Sequence, residues 1–496
     1  MRRTKIIATL GPACASSEVV RDLLNVPVDV FRINASHGSH SGHQAQIAMV
    51  RRLSAEVHSY AGVLFDLQGP KIRLGRFDGG TATLSSGSTF TITTDKVIGD
   101  AFRASTDYSS LAADLSAGDR LVLADGAVEL HALEIASTAV VCVVTSGGTV
   151  RDHQGINLPN VKLSTPSLTE KDLCDVEFAV EQKVDFVALS FVRSASDIVD
   201  LRHILAEKAW RVPIIAKIER PEACENLDAI MQAADGVMVA RGDLGVEMSL
   251  ARVPALQKKI LDRSRRLGKF AVVATQMLES MTSNRAPTRA EVSDVATGVY
   301  DGADALMLSA ETATGAYPVN SARMMANIAL ETEGADTHLP IASAPNQESS
   351  DHAHIAADAC CRAAQAPQIE AIVVFTTTGA TARLIARCRP SVPIFAFAPT
   401  DDIVRSLSIV YGVRAFRGVD GESTRAMIEA TDGILMRSGF LARGSGVVVS
   451  AGEPIGKPGS TNQIRLHRVG LAPGEDCGSL SSIETSSEHQ SEVAQT

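Results

Sequence analysis

Short, nearly continuous apolar runs recur along the chain, separated by segments with helical patterning. The runs are TKIIATL (4–10), VDVFRIN (28–34), GVLFDL (62–67), DFVALSF (185–191), PIIAKIE (213–219), GVMVARG (236–242), FAVVATQ (270–276) and ADALMLS (303–309). Apolar positions that do not alternate with polar ones predict strands buried on both faces, hence a parallel sheet. Between them, TEKDLCDVEFAVEQ and SASDIVDLRHILAEK predict helices with Thr169 and Ser194 as N-caps. Eight alternating units predict a (β/α)8 TIM barrel in the α/β class.

The spacing breaks once. About 115 residues separate the third and fourth runs, far more than a crossover needs. Residues 70–158 in that gap are rich in Gly, Ser and Thr and carry alternating runs such as TFTITT, RLVLADGAVEL and TAVVCVV. They predict a small inserted β-barrel lid domain, so that residues 1–69 and 159–335 form the two parts of the barrel. The polar stretch ADTHLPIASAPNQESSDHAH marks a boundary, and EAIVVFT, VPIFAFA, VRAFRG, SGVVVSAG and QIRLHRV follow it. They predict a C-terminal α/β domain over residues 336–470, leaving 471–496 as a disordered acidic tail without Lys or Arg. No short fixed repeat is present, which excludes a solenoid.

At 496 residues, two to four domains are expected on length alone. The formal net charge of −10 offers no basic field for nucleic acid or an anionic membrane, so an anionic substrate must meet local cations. The start, MRRTKIIATLGPA, has too short an apolar run for a signal segment and reads as a first strand. No apolar segment approaches bilayer-spanning length. Eight scattered cysteines, with one adjacent pair (Cys360, Cys361) and no C-x-x-C, fit reduced structural thiols in a cytoplasmic protein rather than a disulfide framework or zinc site.

In such a barrel, function gathers at the C-terminal strand ends, and here those ends are polar. The second run ends with Arg32, Asn34 and Ser36 at i, i+2 and i+4, on one face of an extended segment. Lys217 and Glu219 share a face in the fifth. The third ends at Asp66, the sixth at Arg241-Gly242-Asp243, the seventh at Thr275-Gln276, and the eighth at Ser309 and Glu311. Taken singly, a charged strand end is usually a solvated terminus. Asp243 would then cap the next helix, and Lys217 with Glu219 would form a structural ion pair. Six polar ends converging on one mouth argue for chemistry instead. Glu219 and Asp243 suit Mg2+ or Mn2+, while sulfur ligands and paired histidines for zinc are missing. Lys217 and Arg32 add positive charge, completing a set suited to phosphoryl transfer. The RGDLG turn enters a helix and offers backbone N–H groups to an anion.

Together TKIIATLGPA, FRINASHG, GPKIR, GINLP, AKIERPEA, VARGDLGVE, ATQMLESM, PTRAEVSDVA and DGADALMLSAETATGAYP resemble the pyruvate kinase family, collinearly over about residues 3–335. The resemblance implies a glycolytic phosphotransferase passing the phosphoryl group of phosphoenolpyruvate to ADP with a divalent metal. It implies that Glu219 and Asp243 bind the metal, Lys217 neutralises the transferring group and the enolate, and Arg32 holds phosphoryl oxygens. Gly242, Asp243 and Thr275 would hold the substrate carboxylate. Thr275 would lie near the site of protonation, in a water network including Ser309. Arg73, His37 and Asn34 would face the nucleotide, under the lid. A cytoplasmic homotetramer is the family expectation, with no nucleic-acid or membrane partner.

Three departures stand out. RDHQG places Gln154 where the family commonly has Lys, which removes one expected nucleotide-phosphate contact. The turn TTTGAT, with Thr376, Thr377, Thr378, Gly379 and Thr381, sits where the family keeps an effector-phosphate loop, and Lys457 follows in a later loop. Potassium-dependent members resemble D-T-K-G-P-E-I-R around a cation site that would use Asn34, Ser36, Asp66 and the next carbonyl. This chain has Leu67, Gln68 and Lys71 there. A fixed Lys71 ammonium would replace and repel K+, so catalysis without added K+ is expected. The alternatives are a silent ligand-binding barrel and a metal-dependent lyase or aldolase. Intact Lys217, Glu219, Asp243, Arg32 and Thr275 oppose the first; the lid and the C-terminal domain oppose the second.

Overall fold

The computed structural model describes residues 1–335, 352–418, 423–454, 456–457, 459 and 461–471. Most of the expected polar boundary and the whole expected tail beyond 471 lie outside the described residues. Eight parallel strands close a barrel in chain order: β1 (Lys5–Thr9), β2 (Val30–Asn34), β3 (Gly62–Asp66), β4 (Phe186–Leu189), β5 (Ile214–Ile218), β6 (Gly236–Ala240), β7 (Phe270–Ala274) and β8 (Ala305–Leu308). Helices α1 (Glu170–Glu181) and α2 (Ala195–Glu207) begin at Thr169 and Ser194, each with a capping box.

Residues of one parity along the strands fill the barrel. Ile7, Val30, Leu64, Ala188, Ile215 and Met238 form an apolar cluster inside it. Residues of the other parity, such as Ile6, Phe31, Val63 and Phe65, pack outward in a second cluster with Leu23, Val50 and other helix residues. One step of two residues beyond Val30, Leu64 and Ile215 come Arg32, Asp66 and Lys217. The strand period therefore places these three charges in one layer above an apolar plug.

The insert is a curled six-stranded sheet plus a two-stranded ribbon (Thr81–Leu84 with Gly148–Arg151). It has its own core, including Phe90, Leu121, Leu130 and Val144. The C-terminal sheet runs β11 (Val413–Arg417), β10 (Ile394–Ala398), β9 (Ile369–Phe375), β12 (Gly446–Gly452), β13 (Thr461–Arg468). Its last strand is antiparallel to β12, so the βα series ends in a reversal. This domain docks on the N-terminal barrel face through Arg405–Asp185 at 2.8 Å and Arg389–Asp304 at 3.0 Å. A Cβ at Gly62 would lie 2.5 Å from Ser408 Oγ, so only glycine admits that approach at the barrel floor. The opposite, C-terminal mouth faces the insert.

Candidate functional site

Lys217 is the hub of the mouth. Its Nζ lies 2.8 Å from Glu219 Oε1 and 3.3 Å from Asp66 Oδ1, and donates to Ser190 Oγ at 2.7 Å. Burial works against the ammonium, but Asp66 and Glu219 outweigh it and hold Lys217 above the ordinary lysine range. Arg32 places Nε and Nη2 each 2.7 Å from Asp66 Oδ2, and Nη1 donates to Thr9 Oγ1 at 3.2 Å. Burial favours the neutral Asp66 acid, yet Lys217 and Arg32 hold its carboxyl below the usual range. Glu219 goes the other way: burial raises it, Lys217 opposes, and nearby Asp243 raises it further. Glu219 Oε2 accepts from the Phe191 N–H at 2.7 Å. Lys217 and Glu219 do form an ion pair, within a shared charge layer.

Asp243 does not cap the next helix, as a lone charged strand end would. It lies inside α3 (Arg241–Glu247), whose N-cap is Ala240. After β7, Thr275 and Gln276 adopt left-handed φ of 70° and 54°. Thr275 Oγ1 accepts from the Gly242 N–H at 2.8 Å, leaving its own proton free to donate. Ser309 follows β8, and its hydroxyl is buried without a hydrogen-bond partner among the described residues. Buried Glu311 ties these two strand ends together, accepting from Ser309 N–H at 2.7 Å and Leu278 N–H at 3.1 Å.

The expected alignment of Arg32, Asn34 and Ser36 on one extended face is corrected at its end. Strand β2 stops at Asn34, and the Asn34 side chain accepts from the Ser36 N–H at 3.1 Å, starting a turn. The Leu67 carbonyl accepts from Ser190 Oγ at 2.7 Å. Lys71 makes no side-chain hydrogen bond or ion pair among the described residues; its aliphatic end lies against Gly155. It does not touch Asp66. Together with Arg73 and Arg32 it acts on His37, whose proton affinity is lowered by partial desolvation and then by those cations. Arg73 Nη1 donates to the His153 carbonyl at 3.2 Å, across the base of the insert.

In the C-terminal domain, Thr376, Thr377, Thr378, Thr381 and Lys457 line a cavity of about 240 Å3. Gly379, with a φ of 81°, gives its N–H to Thr376 Oγ1 at 3.0 Å, and Thr381 Oγ1 meets Thr461 Oγ1 at 2.7 Å.

Several mouth residues carry no role in the sequence reading. Ser190 continues the inward parity of Phe186 and Ala188, a signal the strand pattern contained. Arg220, Glu247 and Asn157 form a junction from three separate segments. Asn157 Nδ2 donates to Glu247 Oε1 at 3.1 Å, Arg220 Nη1 lies 3.5 Å from Glu247 Oε2, and Arg220 Nη2 donates to the Val161 carbonyl at 2.7 Å. Nothing local predicts that closure, because each residue is separated from its partners by tens of positions.

The chain matches two family descriptions, "Pyruvate kinase, barrel domain" over residues 1–322 and "Pyruvate kinase, alpha/beta domain" over residues 354–467. It is 43% identical over 470 residues to a pyruvate kinase of Mycobacterium tuberculosis, covering 95% of this chain and 99% of that protein. To a pyruvate kinase of Geobacillus stearothermophilus it is 39% identical over 488 residues, covering 97% and 83%. Among solved structures, a pyruvate kinase from Cryptosporidium parvum superposes with a TM-score of 0.87 at 32% identity, covering 94% of this chain and 96% of that one. With a charged layer at the barrel mouth, an inserted β domain and a C-terminal α/β domain all in place, this phosphotransferase chain belongs to the pyruvate kinase family.

Proposed function

We propose that the chain transfers the phosphoryl group of phosphoenolpyruvate to ADP, giving pyruvate and ATP, the final step of glycolysis. The observation that carries this is the buried Lys217 ammonium, fixed between Asp66 and Glu219 beside Arg32. Phosphoryl transfer asks a protein mainly for positioning and for charge at the moving group, and this layer supplies both. The bond between phosphorus and the enol oxygen breaks as an ADP oxygen attacks. Lys217 neutralises the departing enolate and the phosphoryl oxygens, and Arg32 holds those oxygens. The Gly242–Asp243 turn and the Thr275 hydroxyl hold the substrate carboxylate, with the Asp243 N–H and the Thr275 O–H as donors because the Gly242 N–H is given to Thr275 Oγ1. The enolate then takes a proton at carbon, with Thr275 and Ser309 lining that side. Arg73, His37 and Asn34 face the nucleotide, and the insert closes over it to exclude water.

Glu219 and Asp243 suit Mg2+ or Mn2+. Burial and the neighbouring Asp243 push the Glu219 carboxyl up against the pull of Lys217, so a further cation beside the pair would favour its charged form. Two carboxylates leave room for the water and substrate oxygens that such an ion keeps. When bound, the ion supplies charge neutralisation at the phosphoryl group. K+ is not required in this reading. Asp66 already meets two cations directly, and the Lys71 ammonium acts with Arg73 and Arg32 on His37. The threonine-lined C-terminal cavity, with Lys457, is a phosphate-effector site, and Lys457→Ala abolishes any response to a phosphorylated effector while sparing basal turnover. Boundaries at 69/70, 158/159, 335/336 and 470/471, a homotetramer and a cytoplasmic location complete the reading. None of the described helices is long and apolar enough to cross a membrane.

The test is a lactate-dehydrogenase-coupled assay of the full chain with phosphoenolpyruvate, ADP and Mg2+, in buffer free of Na+ and K+. Loss of NADH absorbance that needs every component is expected. No turnover with or without K+ overturns the reaction; turnover that depends strongly on added K+ overturns only the clause about potassium.

A further inference from the structure

Thr275 and Gln276 are two successive non-glycine residues in the left-handed backbone region, directly at the end of a barrel strand. Each such residue costs on the order of 1–3 kcal/mol and persists only where its surroundings over-determine it. One side chain does so here. Arg241, the first residue of α3, points Nη2 at the Thr275 carbonyl (2.8 Å), the Gln276 carbonyl (3.4 Å) and Met277 Sδ (2.8 Å). Its Nη1 is held 2.7 Å from Asp294 Oδ1 on α4 (Arg289–Tyr300). The Arg241 side chain is largely covered, with a relative exposure of 12%. The successive carbonyls converge on one guanidinium nitrogen because the chain turns left-handed between them. The next residue after Arg241, Gly242, gives its N–H to Thr275 Oγ1. A Cβ on Gly242 would sit 3.3 Å from that oxygen, so the two strand ends already touch.

We propose that Arg241, anchored by Asp294, is the positioning residue for Thr275. Its guanidinium locks the left-handed turn so that the Thr275 hydroxyl rests on the Gly242 N–H and faces the substrate side of the mouth. Arg241 itself touches no substrate; a planar fork with a fixed carboxylate partner fits this role where a flexible ammonium would not. The inference rests on the reading of Thr275 as a substrate contact given above.

A double-mutant cycle in the coupled assay tests it. Thr275→Ala removes the contact, and losing one such donor costs about 100-fold in kcat/KM. Arg241→Ala is expected to cost about the same, and the double variant to fall no more than about threefold below the worse single one, because residues acting as one unit do not add. Asp294→Asn keeps the arginine while weakening its anchor; it is expected to lose about tenfold, again only when Thr275 is present. It carries the cycle if Arg241→Ala does not fold. Mn2+ affinity, read by electron paramagnetic resonance without substrate, stays within about threefold of the parent in all variants, since the clamp does not act through Asp243. Multiplicative losses, a Mn2+ affinity that collapses with Arg241, or an Arg241→Ala enzyme as active as the parent overturns the proposal. A silent Thr275→Ala removes the reading of Thr275 and the proposal with it. Damage from Thr275→Ala with multiplicative losses removes the proposal alone.

Discussion

Replacing Asp66 by Asn is the sharpest single test of the charge layer. The carboxylate is 1% exposed, with Arg32 nitrogens at 2.7 Å and Lys217 Nζ at 3.3 Å. At an effective dielectric of 20, Coulomb's law gives about 6 kcal/mol for the nearer charge and about 5 kcal/mol for the farther one. Much of this offsets desolvation, so the intact cluster adds little net stability. Removing only the anion is different: Arg32 and Lys217 stay buried with their mutual repulsion unscreened, and losses of about 3–5 kcal/mol follow. In a barrel of this size, that corresponds to a fall of about 10 °C in Tm. The pH dependence has a definite sign. Asp66 titrates below its unfolded value of about 3.9, so its contribution is fully present above that pH and disappears as pH falls through the folded value. Thermal melts of parent and Asp66→Asn between pH 3 and 8 should therefore differ by a constant amount above about pH 5 and begin to draw together below about pH 4. Initial rates should fall by about 100-fold, because an amide accepts from Arg32 without its charge and leaves the guanidinium plane unfixed. A variant that melts within about 2 °C of the parent at pH 7, and keeps its acid sensitivity, refutes the reasoning.

Lys71→Glu should acquire K+ stimulation in the coupled assay, while the parent rate stays flat on adding K+; equal responses contradict the charge argument. Asn157→Ala breaks a hydrogen bond to a buried carboxylate worth about 1.5–3 kcal/mol, so the KM for ADP should rise about tenfold with a smaller change in kcat. An unchanged KM means the insert is held elsewhere. Neighbouring Cys361 and Arg387 pull the Cys388 thiol below its ordinary range, against burial and the Asp358 carboxylate, whereas burial pushes the Cys360 thiol up to about 11. Iodoacetamide should thus label Cys388 well before Cys360, as peptide mass spectrometry would show; simultaneous labelling contradicts the assignment.

Much of the barrel and its charged layer is legible in the sequence because it is periodic. Buried parallel strands announce themselves as unbroken apolar runs, and parity along β2, β3 and β5 already puts Arg32, Asp66 and Lys217 inward. Cap chemistry marks Thr169 and Ser194 equally well. What escapes depends on closure in three dimensions. The turn after Asn34 is set by its own side chain and pulls Ser36 off the strand face. Asp243 falls inside α3 because the helix begins at Arg241 without a side-chain cap, so no cap residue marks its start. Asp66 meets Lys217 and Arg32 directly while Lys71 stands at the lid base. That difference rests on a glycine turn at Gly69, whose φ is 68° and whose Cβ would strike Phe191.

The proton balance of the mouth leads to one more result. The Lys217 ammonium faces Asp66, Glu219 and Ser190, and its proton affinity is raised, so it is a fixed charge and a poor acid. The hydroxyls opposite are arranged otherwise: Thr275 keeps its proton, and Ser309 Oγ is buried with no partner among the described residues. A mouth hydroxyl with no protein partner is free to bond a water or the substrate. Ser309→Ala removes it while keeping the backbone N–H on Glu311. With no protein hydrogen bond among the described residues lost from the side chain, the variant should melt close to the parent temperature. If the hydroxyl helps deliver a proton to the enolate carbon, kcat should fall by about 100-fold with little change in the KM for ADP. Differential scanning calorimetry and initial rates on one preparation read both. Stability kept with turnover lost marks a group held for its chemistry; stability lost with turnover kept means Ser309 is a packing residue whose hydroxyl takes no part in the reaction.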